Sequence, residues 1–145
     1  MVGTFFGHRD APQTIRNSLK LVLIDLIENK NVTMFYVGNN GSFDSMVRSL
    51  LKELKKTHHI QYYVVLAYIP KNKDGNDYSD SIYFDELSLK PYRIRIAERN
   101  KLMIEKSDVV VTYVTHITSG AYKLKIFAEK KGKTVIELSV RDIFL

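Results

Sequence analysis

The chain has no cysteine, which excludes disulfides and thiol catalysis and removes the thiolate ligands that most structural zinc sites use. No metal site is expected on this ground. Long apolar runs are also missing. The longest strongly apolar stretch, Tyr62 to Ile69, has the length of a strand, well short of the roughly 20 residues a membrane helix needs. The N-terminus lacks a basic region followed by an apolar core, so no signal peptide is expected, and a cytoplasmic location fits. There is no internal repeat and no low-complexity tract. Neither a P-loop nor a Gly-x-Gly-x-x-Gly fingerprint occurs, so the two commonest phosphate-loop signatures are absent.

What remains is ordinary for a globular protein: 145 residues, 45% hydrophobic and 26% charged. That length reads as one domain, 1–145, able to bury a real core. The net charge of +6 has two readings, solubility or an anionic partner, either a small nucleotide or nucleic acid. Lysines cluster at Lys52, Lys55 and Lys56, and from Lys123 to Lys133. Both clusters fall toward the ends of helical patterns, where cations suit the helix dipole without any partner.

Apolar periodicity alternates between strand and helix along the chain. Strands are expected at Val2–Phe6, Val32–Val37, Ile60–Ile69, Val109–Val114 and Thr134–Leu138. Helices are expected at Thr14–Glu28, from Ser42 or Asp44 to about Lys56, at Tyr92–Lys106 and at Ser119–Lys131, stopped by Gly132. A polar insert at about 71–92 interrupts the pattern, with a short helix read at Tyr78–Leu87. Alternating strands and helices imply an α/β fold. The expected architecture is a single doubly wound, mainly parallel five-stranded sheet in the order 3-2-1-4-5, with helices on both faces. In such a sheet ligands bind where the strand order reverses, at the C-terminal ends of the strands.

Three small-residue loops fall at those ends. In the first, Gly7-His8-Arg9, the glycine permits a close backbone approach and Arg9 offers a planar fork of donors for phosphate. It reads equally as a surface turn. The second, Gly38-Asn39-Asn40-Gly41-Ser42-Phe43-Asp44, is a glycine-bearing turn into a helix, read either as a ligand contact or as a tight capped connection. The third, Thr115-His116-Ile117-Thr118-Ser119-Gly120, carries hydroxyls and amides able to cradle phosphate oxygens. His116 is a candidate general base, although no acidic partner is adjacent. On the preceding helix, Arg99 and Lys101 stand two apart and cannot share a face, so one faces the site and the other faces water. Glu98, Asp44 and His116 are the candidate catalytic groups.

These motifs, in this order, resemble the SLOG superfamily of Rossmann-like domains, which includes the Lonely Guy proteins. Gly7-His8-Arg9 resembles the opening of several branches, and Gly38-Asn39-Asn40-Gly41 resembles the glycine-rich loop after the second strand. Glu98-Arg99-Asn100-Lys101, followed by Ser107-Asp108 and an apolar strand, is similar to the Lonely Guy helix with its Arg-Lys pair. Thr118-Ser119-Gly120-Ala121 occupies the place of that family's phosphate loop. The resemblance implies a nucleotide ligand and, for the Lonely Guy branch, hydrolysis of the N-glycosidic bond of a nucleoside 5′-monophosphate with Arg and Glu as key residues. The Arg falls at Arg99. The Glu position holds Leu124, which can neither stabilise an oxocarbenium-like charge nor activate water. Binding of a nucleotide or nucleotide-derived phosphate, as a sensor or sequestering module, is therefore expected ahead of hydrolysis, with nucleic-acid binding last. The candidate ligand contacts are the three loops and Arg99. No cofactor beyond that ligand is implied. Tyrosines dense around the insert, including Tyr62, Tyr68, Tyr78 and Tyr83, suit an interface between copies of the chain, or else close the insert over the core.

Overall fold

The computed structural model describes residues 1–71, 75, 77–117 and 119–138. Its regular elements are β1 (Val2–Gly7), α1 (Arg16–Asn29), β2 (Met34–Val37), α2 (Ser42–Leu54), β3 (Gln61–Leu66), β4 (Ser81–Tyr83), α3 (Arg95–Glu105), β5 (Val109–Tyr113), α4 (Gly120–Lys130) and β6 (Thr134–Leu138). Short 3-10 turns at Gln13–Ile15 and Tyr92–Ile94 lead into α1 and α3, each set off by the proline just before it. A third lies at Asp85–Leu89. Helix α4 ends where Gly132 takes φ 73°, with its N–H donated to Glu129 O and that of Lys133 to Ala128 O. That pair of bonds is a Schellman close, which favours glycine at the left-handed position.

All strands run parallel in one six-stranded sheet of order β4-β3-β2-β1-β5-β6. The expected five strands in the order 3-2-1-4-5 are corrected to six. The added edge strand is Ser81–Tyr83, paired with β3 as Val64↔Ser81, Val65↔Ile82 and Leu66↔Tyr83. It replaces the helix expected over Tyr78–Leu87, of which only a 3-10 turn over Asp85–Leu89 forms. Three residues carry no readable period, so tertiary contacts decide the conformation. Asp80 takes a bidentate pair from Arg48 at 2.9 and 2.8 Å and the Tyr62 hydroxyl at 3.0 Å, while its carbonyl accepts the Val64 N–H. This clamp lays the segment along β3.

Strand side chains alternate between two cores, as parallel strands covered on both faces require. Phe5, Phe35, Val64 and Val111 pack under α1 and α2 with Leu19, Leu23, Leu50 and Leu51. Phe6, Val65 and Val110 pack under α3 and α4 with Met103, Ile104 and Ala128. Every apolar residue expected to point inward from α2 is buried, joined by Phe43. Of the aromatic residues around the insert, Tyr62 and Phe84 are buried in these cores, and Tyr68 lies tilted against Tyr92 with 4.2 Å between ring centres.

The chain leaves β1 toward β2 and leaves β5 toward β6, in opposite directions along the sheet. The connections after β1 and β5 therefore diverge, and a crevice opens between them at the C-terminal edge.

Candidate functional site

A cleft of about 680 Å³ occupies that crevice and runs down between α3 and α4. Its upper wall is Gly7, His8 and Arg9 from the loop after β1, with Asn40 and Asp44 from the turn after β2. Arg99, Asn100 and Lys101 come from α3, and Ser119, Gly120 and Lys123 from the start of α4. The floor is apolar, built from Phe6, Met103, Leu124 and Phe127.

The first two loops are locked together. Ser42 donates its N–H to Arg9 O at 2.7 Å and its hydroxyl to Ala11 O at 2.7 Å. Two glycines make the approach possible. A Cβ on Gly41, whose φ is 93°, would lie 2.7 Å from Arg9 Cα, and one on Gly7 would lie 2.4 Å from the Phe43 ring. Ser42 and Phe43 thus serve the architecture of the site, and neither they nor Gly38 and Gly41 line the cleft. Neither Ser42 nor Asp44 caps α2 as the sequence suggested. Gly41 holds the cap position, and Asp44 Oδ2 instead reaches back to accept the Asn40 N–H at 2.9 Å.

Arg99 is the central group. It is 2% exposed, yet it sits on the cleft wall. Its Nη1 donates to Asn39 Oδ1 at 2.8 Å and Val65 O at 3.2 Å, and its Nε donates to Asn100 Oδ1 at 3.0 Å. All three acceptors are neutral. Nη2 makes no hydrogen bond among the described residues, and it lies 3.5 Å from the point where a Gly38 Cβ would stand. Asp44 Oδ2 lies 2.7 Å from the same point. Arg99 and Asp44 therefore flank Gly38 without forming an ion pair among the described residues. Burial lowers the affinity of Arg99 for its proton, which Asp44 partly offsets. Burial likewise raises the Asp44 carboxyl from an ordinary 3.8 to about 6, against the pull of the Asn40 N–H, Arg99 and Arg9. Lys101, two positions from Arg99, is exposed at the cleft rim with its ammonium 5.9 Å from the Phe127 ring centre.

The third loop is tied to the first through His8, which is 8% exposed. The Thr115 N–H donates to His8 Nε2 at 2.7 Å, so the ring is neutral with its proton on Nδ1. His116 stacks on His8 at 4.1 Å, and its Nδ1 meets Thr115 Oγ1 at 2.9 Å. Burial, then the neighbouring His116, lowers the His8 pKa, and Asp10 opposes them. Ser119 caps α4, accepting the Tyr122 N–H at 3.1 Å and donating to His116 O at 3.0 Å. Thr115 and His116 lie beside the cleft rather than on its wall, Glu98 is not on the wall, and Thr118 lies outside the described residues.

Periodic residues of α3 and α4 were passed over as site residues, although their spacing carried the signal. Ile96, Asn100 and Met103 stand at i, i+4 and i+7, and Gly120, Leu124, Phe127 and Lys130 at i, i+4, i+7 and i+10, one stripe on each helix facing the other. Leu124, read only as a missing carboxylate, is part of the apolar floor.

Among the described residues no group of three or more His, Asp or Glu is placed to hold a metal ion, and no helix is long and apolar enough to cross a membrane. The arrangement can take an anion at Arg9 and Arg99 and a flat apolar body along the floor. Compared with family models and with curated proteins, the sequence finds no match in either.

Proposed function

We propose that this chain binds a nucleotide or nucleotide-derived phosphate ligand in the cleft between the loops after β1, β2 and β5, as a sensor or sequestering module of the Rossmann-like, SLOG-like type. The observation that carries this reading is Arg99. Its guanidinium is buried to 2% exposure with only neutral hydrogen-bond acceptors, and Asp44 offsets that burial only in part. Its Nη2 makes no hydrogen bond among the described residues, which leaves a donor for a phosphate oxygen. Arg9 also lines the cleft, and the N-terminus of α4 adds its dipole. Phe6, Met103, Leu124 and Phe127 provide the apolar surface a base needs, and Lys101, Lys123 and Lys130 give a basic rim.

Thermal melting with AMP, ADP-ribose and cyclic nucleotides tests the reading. A ligand at 100 times its dissociation constant stabilises by about 2.7 kcal/mol, a shift easily seen. The expected result is a rise in melting temperature with at least one nucleotide and its loss in Arg99→Ala. No shift with any of the panel at ligand well above millimolar contradicts it.

A second reading, a nucleotide N-glycosidase, is favoured by Asp44 alone. A carboxyl raised to about 6 beside two arginines has the acidity of a general acid or base near neutral pH. Free base released from nucleoside monophosphates by the wild type and abolished in Asp44→Asn is the outcome this reading requires.

A further inference from the structure

Asp44 faces the same two arginines that an incoming anion must use. Its Oδ2 is held by the Asn40 N–H at 2.9 Å, beside the face of Gly38 where Arg99 Nη2 also sits. The charged groups acting on it come from two other elements: Arg9 on the loop after β1 and Arg99 on α3. Neither forms an ion pair with it among the described residues. Tyr68 also faces Arg99, and Lys101 and Lys123 line the cleft.

We propose that anion binding in this cleft is coupled to proton uptake by Asp44: the carboxylate neutralises Arg9 and Arg99 while the cleft is empty, and accepts a proton when a phosphate group takes its place between them. The proposal rests on the anion-binding reading above and adds its regulation. An anion placed beside a carboxylate disfavours the ionised form. Burial already holds the Asp44 carboxyl at about 6, close to neutrality, so a modest further rise brings it into the working range. By linkage, each unit by which the anion raises that pKa is a tenfold preference of the protonated cleft for the anion. The cleft therefore takes up phosphate more tightly as pH falls and releases it as pH rises.

Inorganic sulfate is the probe, because it keeps its double charge across the range while a phosphate monoester titrates. The Asn40 amide, which donates to Asp44, is the reporter. Followed by NMR from about pH 4.5 to about pH 8, it should show a midpoint near 6 without sulfate and one higher by about a unit with saturating sulfate. Sulfate affinity should rise about 3- to 10-fold from about pH 7.5 to about pH 5.5. In Asp44→Asn the inflection should vanish and sulfate affinity should be the same at both pH values. His8 also lines this cleft, with its pKa lowered by burial, and the variant keeps it, so the full pH dependence persisting in Asp44→Asn overturns the proposal. A wild-type midpoint that saturating sulfate leaves in place also overturns it while the anion-binding reading stands. No sulfate binding at either pH overturns both.

Discussion

Gly7 shows how one missing side chain sets the geometry of the site. The Phe43 ring fills the space where a Cβ would stand, at 2.4 Å, and lies against Tyr113 at 6.3 Å between ring centres. Gly7→Ala should destabilise the protein by about 1–3 kcal/mol through overpacking, read by chemical denaturation. Phe43→Leu in the same chain should recover part of that loss. An alanine variant as stable as wild type would show that the ring moves aside freely. Asp44 makes a second residue-scale prediction. Its pKa is about 6 folded and an ordinary 3.8 unfolded, so between these values the folded chain binds more protons. Stability at this position therefore falls as pH rises through that window, and the charged carboxylate is a net cost at neutral pH. Asp44→Asn keeps an acceptor for the Asn40 N–H and removes the cost. Discounted for partial solvent access, the gain at about pH 7.5 should be about 1–2 kcal/mol, or about 2–4 °C in melting temperature for each kcal/mol, fading toward pH 4. A variant less stable than wild type at about pH 7.5 contradicts the assignment of burial as the dominant cause.

Among the elements, the loop after β5 depends on a histidine acceptor in the loop after β1. His8 must be neutral to accept the Thr115 N–H, and its pKa is lowered by burial. The sign is opposite to that of Asp44: the unfolded chain binds more protons through this group, so its contribution is present at neutral pH and lost on acidification. Exchange of the Thr115 amide should accelerate once pH falls below the ordinary imidazole range. An exchange rate that only follows the intrinsic slowing of amide chemistry in acid would show that the bond does not hold the loop. The elements were also unequally legible in the sequence. Helix α2 declared itself through Met46, Val47, Leu50, Leu51 and Leu54 at helical spacing, and β5 through its unbroken apolar run, because both are local patterns fixed by burial. Strand β4 did not, because three residues show no period and its place is set by Asp80 with Arg48 and Tyr62, 32 and 18 positions away. The three loops were recognisable from glycine and small residues. The roles of Ser42 and Phe43 were not, because a loop sequence does not say which side chain turns inward to hold its neighbour.

At the scale of the whole molecule, part of the basic charge is paired on the surface and part gathers in one cleft. Lys125, Lys106 and Lys131 are paired with Glu137, Glu86 and Glu105, which ties α4 to β6, α3 to the turn after β4, and α4 to α3. These pairings are structural. Arg9, Arg99, Lys101, Lys123 and Lys130 instead line one cleft at the point where the strand order reverses. The parallel topology was legible from alternation of periods, and it alone placed the cleft. That α3 and α4 would face each other across an apolar floor was not, since each stripe read by itself as ordinary core. The most direct test is amide chemical-shift mapping with AMP and ADP-ribose on the full chain. Shifts concentrated at Gly7–Arg9, Asn40–Asp44, Arg99–Lys101 and Ser119–Leu124, and lost in Arg99→Ala, are the predicted result. Shifts scattered over Lys52, Lys55 and Lys56, or none at millimolar ligand, would contradict it.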